Sequence, residues 1–139
     1  MTEVLTIGTF DLLHIGHLEL LKYCRALTSE NGRVSVGLNT EEFCNSYGKF
    51  PVQSWEDRCE NLKTYARVWG TNIHENHSWG KELILKVKPS YLVVGNDWLD
   101  RDYMKQIGMT TALLSKHHVT VCFAPRTTGV STSAIRGIK

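Results

Sequence analysis

The stretch Gly8-Thr9-Phe10-Asp11-Leu12-Leu13-His14-Ile15-Gly16-His17, running straight into Leu18-Glu19-Leu20-Leu21, decides the fold. Before it, Val4-Leu5-Thr6-Ile7 is an apolar run with the character of a buried strand. After it, apolar residues at 18, 20, 21, 24 and 27 recur at helical spacing, with Asn31-Gly32 as the stop. The two histidines therefore sit where a strand hands over to a helix. The first N–H groups of a helix are unpaired and carry partial positive charge, so such a junction holds phosphates without dedicated cations. Two imidazoles at the same spot add donors that can follow charge as it develops on a reacting phosphate.

Working outward, strands and helices alternate. Val34 to Leu38 reads as a second strand, and Thr40-Glu41-Glu42-Phe43 as the start of a short helix capped by Asn39 or Thr40. Residues 44–52 read as a polar loop, and Ser54-Trp55-Glu56-Asp57 as the capped start of a helix running to about Ala66. An irregular third strand is expected over 68–74, a helix over 79–88 stopped by Pro89, and a fourth strand over 91–94 ending at Gly95. Helical turns at 100–107 and 111–117, a fifth strand at 119–123 and a helix at 131–138 complete the pattern. This βαβα order calls for one α/β, Rossmann-like domain over 1–139: a parallel sheet of about five strands, helices on both faces, ligands at the carboxyl ends of the strands.

Composition narrows the ligand. The 139 residues are 42% hydrophobic and 22% charged, enough for one packed core, and the net charge of +2 comes from 16 Lys+Arg spread without a basic block. A small anionic ligand fits better than nucleic acid. Cys24, Cys44, Cys59 and Cys122 form no C-x-x-C pair and follow neither a signal-like segment nor an apolar span of membrane length. The expectation is a cytoplasmic protein, bound to no membrane, with reduced thiols serving as small buried hydrophobes.

Polar residues cluster where strands end. Gly8 to His17 follows the first strand, Gly95-Asn96-Asp97-Trp98 the fourth, and Arg126-Thr127-Thr128-Gly129-Val130-Ser131-Thr132-Ser133 the fifth. The last segment joins an arginine, a glycine that admits close backbone approach and three hydroxyls opening a helix, which suits a second phosphate site. Two such sites point to a triphosphate.

These three segments, in this order, resemble the H-x-G-H nucleotidyltransferases, and among them the cytidylyltransferases, nearest the glycerol-3-phosphate cytidylyltransferases; the likeness runs from Val4 to about Ile135. The resemblance implies transfer of a cytidylyl group from CTP to a phosphorylated alcohol, with Mg2+ bound mainly through the nucleotide phosphates rather than by a protein metal site. It assigns His14, His17, Lys49 and Arg126 to catalysis. It places Gly8, Thr9, Phe10, Asp11, Ile15, Gly16, Gly95, Asn96, Asp97, Trp98 and residues 126–133 around the nucleotide. Aligning Trp55-Glu56-Asp57-Arg58 on the family's aromatic-Glu-x-Arg element puts Lys49 on a phosphate-binding lysine, and puts Tyr47 where glycerol-phosphate relatives carry a further lysine. Tyr47, Arg67, Trp79 and Lys81 are thereby the candidate acceptor-binding residues, with Arg67 and with Lys81, just after Trp79, the candidate replacements for acceptor-side charge. About ten extra residues near 100–117 would reshape the acceptor pocket or a subunit contact, and the family's homodimers imply a homodimer here.

Several residues have plainer readings. Asp11 either binds magnesium or caps its turn. His74, His77, His117 and His118 read as loop surface, since no histidine and cysteine set has zinc spacing. Trp55, Trp69 and Trp79 are ordinarily packing anchors, and a lone lysine such as Lys49 is ordinarily a solvated charge. The string His14-Ile15-Gly16-His17 also occurs in class I aminoacyl-tRNA synthetases, but their longer chain and lysine-rich signature are missing here. The competing functions are an adenylyltransferase of the same superfamily and a nucleotide-sensing module without turnover.

Overall fold

The computed structural model describes residues 2–28, 30–68, 72–95 and 111–125. Along the chain these form β1 (Glu3–Gly8), α1 (Ile15–Leu27), β2 (Arg33–Asn39), α2 (Glu41–Ser46), α3 (Trp55–Tyr65), β3 (Ile73–Asn76), α4 (Lys81–Val87), β4 (Tyr91–Gly95), α5 (Thr111–Lys116) and β5 (Thr120–Ala124). The strands make one parallel sheet in the order β3-β2-β1-β4-β5. The chain builds outward from β1 to β3, then returns to the other side of β1 to lay down β4. That reversal opens a crevice at the carboxyl ends of β1 and β4, where open parallel sheets bind ligands. The helices expected at 100–107 and 131–138 lie outside the described residues.

Alternation along each strand sorts side chains to two faces. Val4, Val36, Leu38 and Val93 pack with Leu21 and Cys24 of α1 and Cys59 and Leu62 of α3. Leu5, Leu92 and Val94 pack on the other face with Leu83 and Ile84 of α4 and Leu114 of α5. Each fully buried aliphatic side chain stabilises the fold by roughly 1.5–3 kcal/mol relative to exposure. The cysteines are free, and burial pushes the Cys24 thiol up to about 12, as suits a hydrophobe rather than a nucleophile.

Three elements differ from the sequence reading. The loop expected from Cys44 onward begins later, because α2 runs to Ser46 under its Thr40 cap, whose hydroxyl accepts the Phe43 amide. The third strand is Ile73–Asn76 rather than 68–74: the Val68 amide donates to Leu62 O, which holds that residue against α3, and β2 offers Val36 to Asn39 as partners further on. His74 is therefore a half-buried strand residue, not loop surface. Finally, α4 begins at Lys81, not Trp79, because Gly80 turns the chain with φ 117.

Gly37 limits how closely α4 can seat. A Cβ there would stand 2.5 Å from Leu83 Cδ2 and 3.0 Å from Ile7 Cγ1. Gly37→Ala is expected to cost about 1–3 kcal/mol by overpacking, seen as a lower urea midpoint with an unchanged slope.

Candidate functional site

Past Gly8 the chain enters a tight turn in which Phe10 (φ 49) and Leu12 (φ 51) take the left-handed conformation. Bulky residues adopt it at a cost of about 1–3 kcal/mol each, so the surroundings must enforce it. Asp11, 2% exposed, does so: its Oδ2 accepts the Val52 amide at 2.7 Å and its Oδ1 the Gln53 amide at 3.0 Å. The Leu12 amide donates to Gln53 Oε1 at 2.9 Å. Asp11 thus serves as a tether between the turn and the 50–53 loop. Gly8 gives Phe10 room, since a Cβ there would meet the ring at 3.0 Å.

The histidines then start α1. His14 is the N-cap, and its Nδ1 accepts the Gly16 amide at 3.0 Å; His17 Nδ1 accepts the His14 amide at 3.2 Å. This is a reciprocal capping box made of two imidazoles. An accepting Nδ1 carries no proton, so each neutral ring must carry its proton on Nε2. The rings stack at 3.8 Å, and Phe10 lies against His17 at 5.3 Å. Burial lowers the pKa of both; for His17 burial acts first, then His14 and Lys49, taking it to about 4. Protonating either Nδ1 would also replace an acceptor with a donor facing an amide N–H. Ile15 stands 54% exposed beside them.

Lys49, exposed, lies in a loop tied at one end by its own amide to Cys44 O and at the other by the Asp11 clamp. Its charge reaches His17. Gly95 ends β4 on the other side of β1, paired with Ala124. Tyr47 and Trp79 come together at 4.7 Å over the ends of β2 and β3, and Lys81 opens α4 two residues on. Trp55 is the anchor it was expected to be, its Nε1 donating to Leu38 O at 2.9 Å. Arg67 goes elsewhere: it lines a groove of about 380 Å³ with Arg25 and Val34, toward the amino ends of the strands. Asn96, Asp97, Trp98 and Arg126, Thr127, Thr128, Gly129, Val130, Ser131, Thr132 and Ser133 lie outside the described residues, as does Trp69.

Sequence reasoning used Arg58 only as an alignment anchor, yet it organises this edge. Fully buried, it donates from Nη1 to Thr9 O at 2.9 Å and Asn39 O at 2.7 Å, and from Nε to Gln53 O at 3.2 Å. The signal was available: residue 58 falls in the stripe 55, 58, 59, 62 that turns α3 to the core, where a charge is out of place. Asn39 and Asn76, at the ends of β2 and β3, were also missed. Asn76 Nδ2 donates to Asn39 Oδ1 at 2.8 Å, and Asn39 Nδ2 to Thr9 Oγ1 at 3.3 Å.

A doubly wound sheet with paired imidazoles at a phosphate-ready helix start defines a nucleotide-handling α/β domain. The cytidylyltransferase-like family model matches residues 5–138, and the chain belongs to that family; it is a nucleotidyltransferase. It is 32% identical over 139 residues to a glycerol-3-phosphate cytidylyltransferase of Bacillus spizizenii, covering 98% of this chain and 95% of that one. It is 33% identical over 90 residues to an FAD synthase of Pyrococcus abyssi, covering 65% and 60% of the two chains. In fold it is similar to a lipopolysaccharide core biosynthesis protein from Thermoplasma volcanium, with a TM-score of 0.68 at 22% identity over 91% of this chain and 97% of that one.

Two outcomes are expected. Nitrogen NMR should find both imidazoles protonated on Nε2 at neutral pH, with His17 titrating near 4. Because the unfolded histidine protonates near 6.5, its contribution to stability is complete above that pH and is lost as pH falls toward 4. Arg58→Met should cost about 3 kcal/mol by stranding buried carbonyls, and Arg58→Lys should recover only part of it, both read by thermal denaturation.

Proposed function

We propose that the protein transfers a cytidylyl group from CTP to a phosphorylated small alcohol, with glycerol 3-phosphate the leading acceptor, releasing pyrophosphate. The observation that carries this reading is the imidazole pair: stacked, and capping α1 through both Nδ1 atoms, so that each neutral ring carries its proton on Nε2 at the crevice end of β1. The acceptor's phosphate oxygen is already anionic, so it attacks the α-phosphorus in line with no protein base; one P–O bond forms as the bond to pyrophosphate breaks. His14 and His17 donate to the oxygens on which charge grows, and Lys49 neutralises charge beside them. Arg126 and the hydroxyls of Ser131, Thr132 and Ser133 are assigned to the β- and γ-phosphates.

Magnesium belongs to the proposal through the nucleotide. Among the described residues no group of three or more His, Cys, Asp or Glu side chains could hold a metal ion, and both Asp11 oxygens accept loop amides. The triphosphate's own oxygens would be the main ligands, and the ion would supply neutralisation of the departing pyrophosphate. The assignment to CTP and to a glycerol-type acceptor leans on the Bacillus spizizenii relative, and the homodimeric, cytoplasmic state is proposed with it. Among the described residues no helix is long and apolar enough to cross a membrane.

The FAD synthase relative favours a second reading, adenylyl transfer from ATP. Incubation with magnesium, either nucleotide and a panel of alcohol phosphates, with products identified by mass, separates the two. CTP should yield a CDP-alcohol and ATP should not; binding with no product from any pair would leave a sensing module. His14→Ala and His17→Ala should each lower kcat about 100- to 1000-fold. Turnover within a few-fold of the parent protein would remove them from the transition state.

A further inference from the structure

The groove that takes Arg67 lies away from the imidazoles. It opens between the later turns of α1 and the end of α3. Arg25, on its wall, stands roughly 15 Å along α1 from Ile15 at the rise of an α-helix. The volume of about 380 Å³ falls within the range of small-molecule pockets, about 300–1,000 Å³. Three cations line it, Lys22 and Arg25 from α1 and Arg67 from the chain after α3; among the described residues no carboxylate does. Nor does a described acid form an ion pair with any of the three. Like charges gathered in one groove repel one another until an anion enters.

A helix dipole favours cations at helix ends, and Arg25 lies in the last turn of α1. That does not account for Arg67. The last turn of α3 already carries Lys63, and Arg67 follows the helix with φ 54, a left-handed position where glycine is the usual residue. The Val68 amide, donating to Leu62 O, holds the chain in this shape. An arginine is thus kept at strained backbone, with its side chain on the groove.

Between the cations the groove is apolar. Leu21, Val34 and Val68 form its floor, all less than a tenth exposed, and Tyr65, 67% exposed, stands at its side. A second hollow of about 440 Å³ shares Leu18 and Tyr65 with it, adds Leu12 and Leu13, and carries no charged side chain. A bare phosphate would leave this floor wet, and an uncharged apolar molecule would leave three cations unmatched. We propose that the groove is a second binding site, separate from the reaction centre, for an organic phosphate with a flat apolar body. The forks of Arg25 and Arg67 grip the phosphate, with Lys22 adding charge, and the body lies on Val34 and Val68 against the Tyr65 ring.

The probe is phenyl phosphate, with inorganic phosphate and phenol as its two halves, and the readout is amide NMR of the full chain. Phenyl phosphate should shift the Leu21, Val34 and Val68 amides, with a Kd about tenfold below that of inorganic phosphate because only it covers the floor. Phenol at the same concentration should leave them in place. Arg25→Gln and Arg67→Gln should each raise the Kd about tenfold, and Arg67→Lys should recover only part of the loss. Tyr65→Ala should raise the Kd for phenyl phosphate about threefold and leave that for inorganic phosphate unchanged. Lys49→Gln, beside the histidines, should change neither. Equal Kd values for the two phosphates would reduce the groove to a counter-ion patch and overturn the proposal. So would a Kd that responds to Lys49→Gln and not to Arg67→Gln, which would put the probe at the histidines, or unmoved Val34 and Val68 amides at millimolar probe. Binding to phosphatidylglycerol vesicles in place of phenyl phosphate would overturn it in favour of a lipid surface.

Discussion

The geometry of this edge depends on one buried cation. Parallel strands end with carbonyls that find no partner in the sheet, and the loops leaving β1 and β2 diverge. Arg58 gathers them: its planar fork bonds to Thr9 O, Asn39 O and Gln53 O, three segments remote in sequence. A lysine could not reach all three in fixed directions. Burying a guanidinium is costly, and burial accordingly lowers its pKa, while Cys44, Asp11, Glu41 and Glu56 act in the opposite sense. The cost is met because the alternative, unpaired buried carbonyls, is also unfavourable. Since the same fork fixes both the histidine turn and the loop carrying Lys49, their separation is set from beneath, by a residue that need not touch a ligand.

The same economy governs the histidines. A Ser or Asp would cap α1 adequately, but it would spend its acceptor on the amide and offer nothing further. An imidazole accepts through Nδ1 and still presents a directed N–H on the opposite side of the ring. Capping thus selects the tautomer, burial and the neighbouring Lys49 charge keep the ring neutral, and the stack with its partner fixes the plane. Helix initiation and donor placement become one structural fact, joined where the Gly16 amide donates to the His14 ring.

How much of this could be read in the sequence follows from the range of the forces involved. Period-two and helical patterns are local, so the strands at Val4, Val34, Tyr91 and Thr120 and the helices after His14 and Ser54 were legible, caps included. The third strand was not, because it lies at the sheet's edge and its register is dictated by β2 rather than by its own residues. Within the site, Gly8 to His17 was legible because sequence and space coincide there. Arg58, Asn39 and Asn76 act across distant parts of the chain, and a polar residue at a strand end looks like any loop residue until the partner is known. Arg67 shows the converse: a cation near the right place in sequence, carried by α3 to the opposite edge.

The cluster of Phe43, Tyr47 and Trp79 rings bears on how the proposed reaction could select among acceptors at all. Phosphates are recognised through charge, which is strong but indifferent to what the phosphate is attached to. A site gripping both substrates by their phosphates would discriminate poorly among alcohols. Discrimination has to come from contacts that only part of the acceptor can make, and these are short-range: ring faces, amides and hydroxyls at van der Waals or hydrogen-bond distance. The ends of β2 and β3 carry such groups, held by Arg58 at one side through Asn39 and by the Asn39–Asn76 pair at the other. The fork that positions the histidine turn therefore also fixes the ends of β2 and β3 beside Tyr47 and Trp79, so the two parts of this edge are held by one residue.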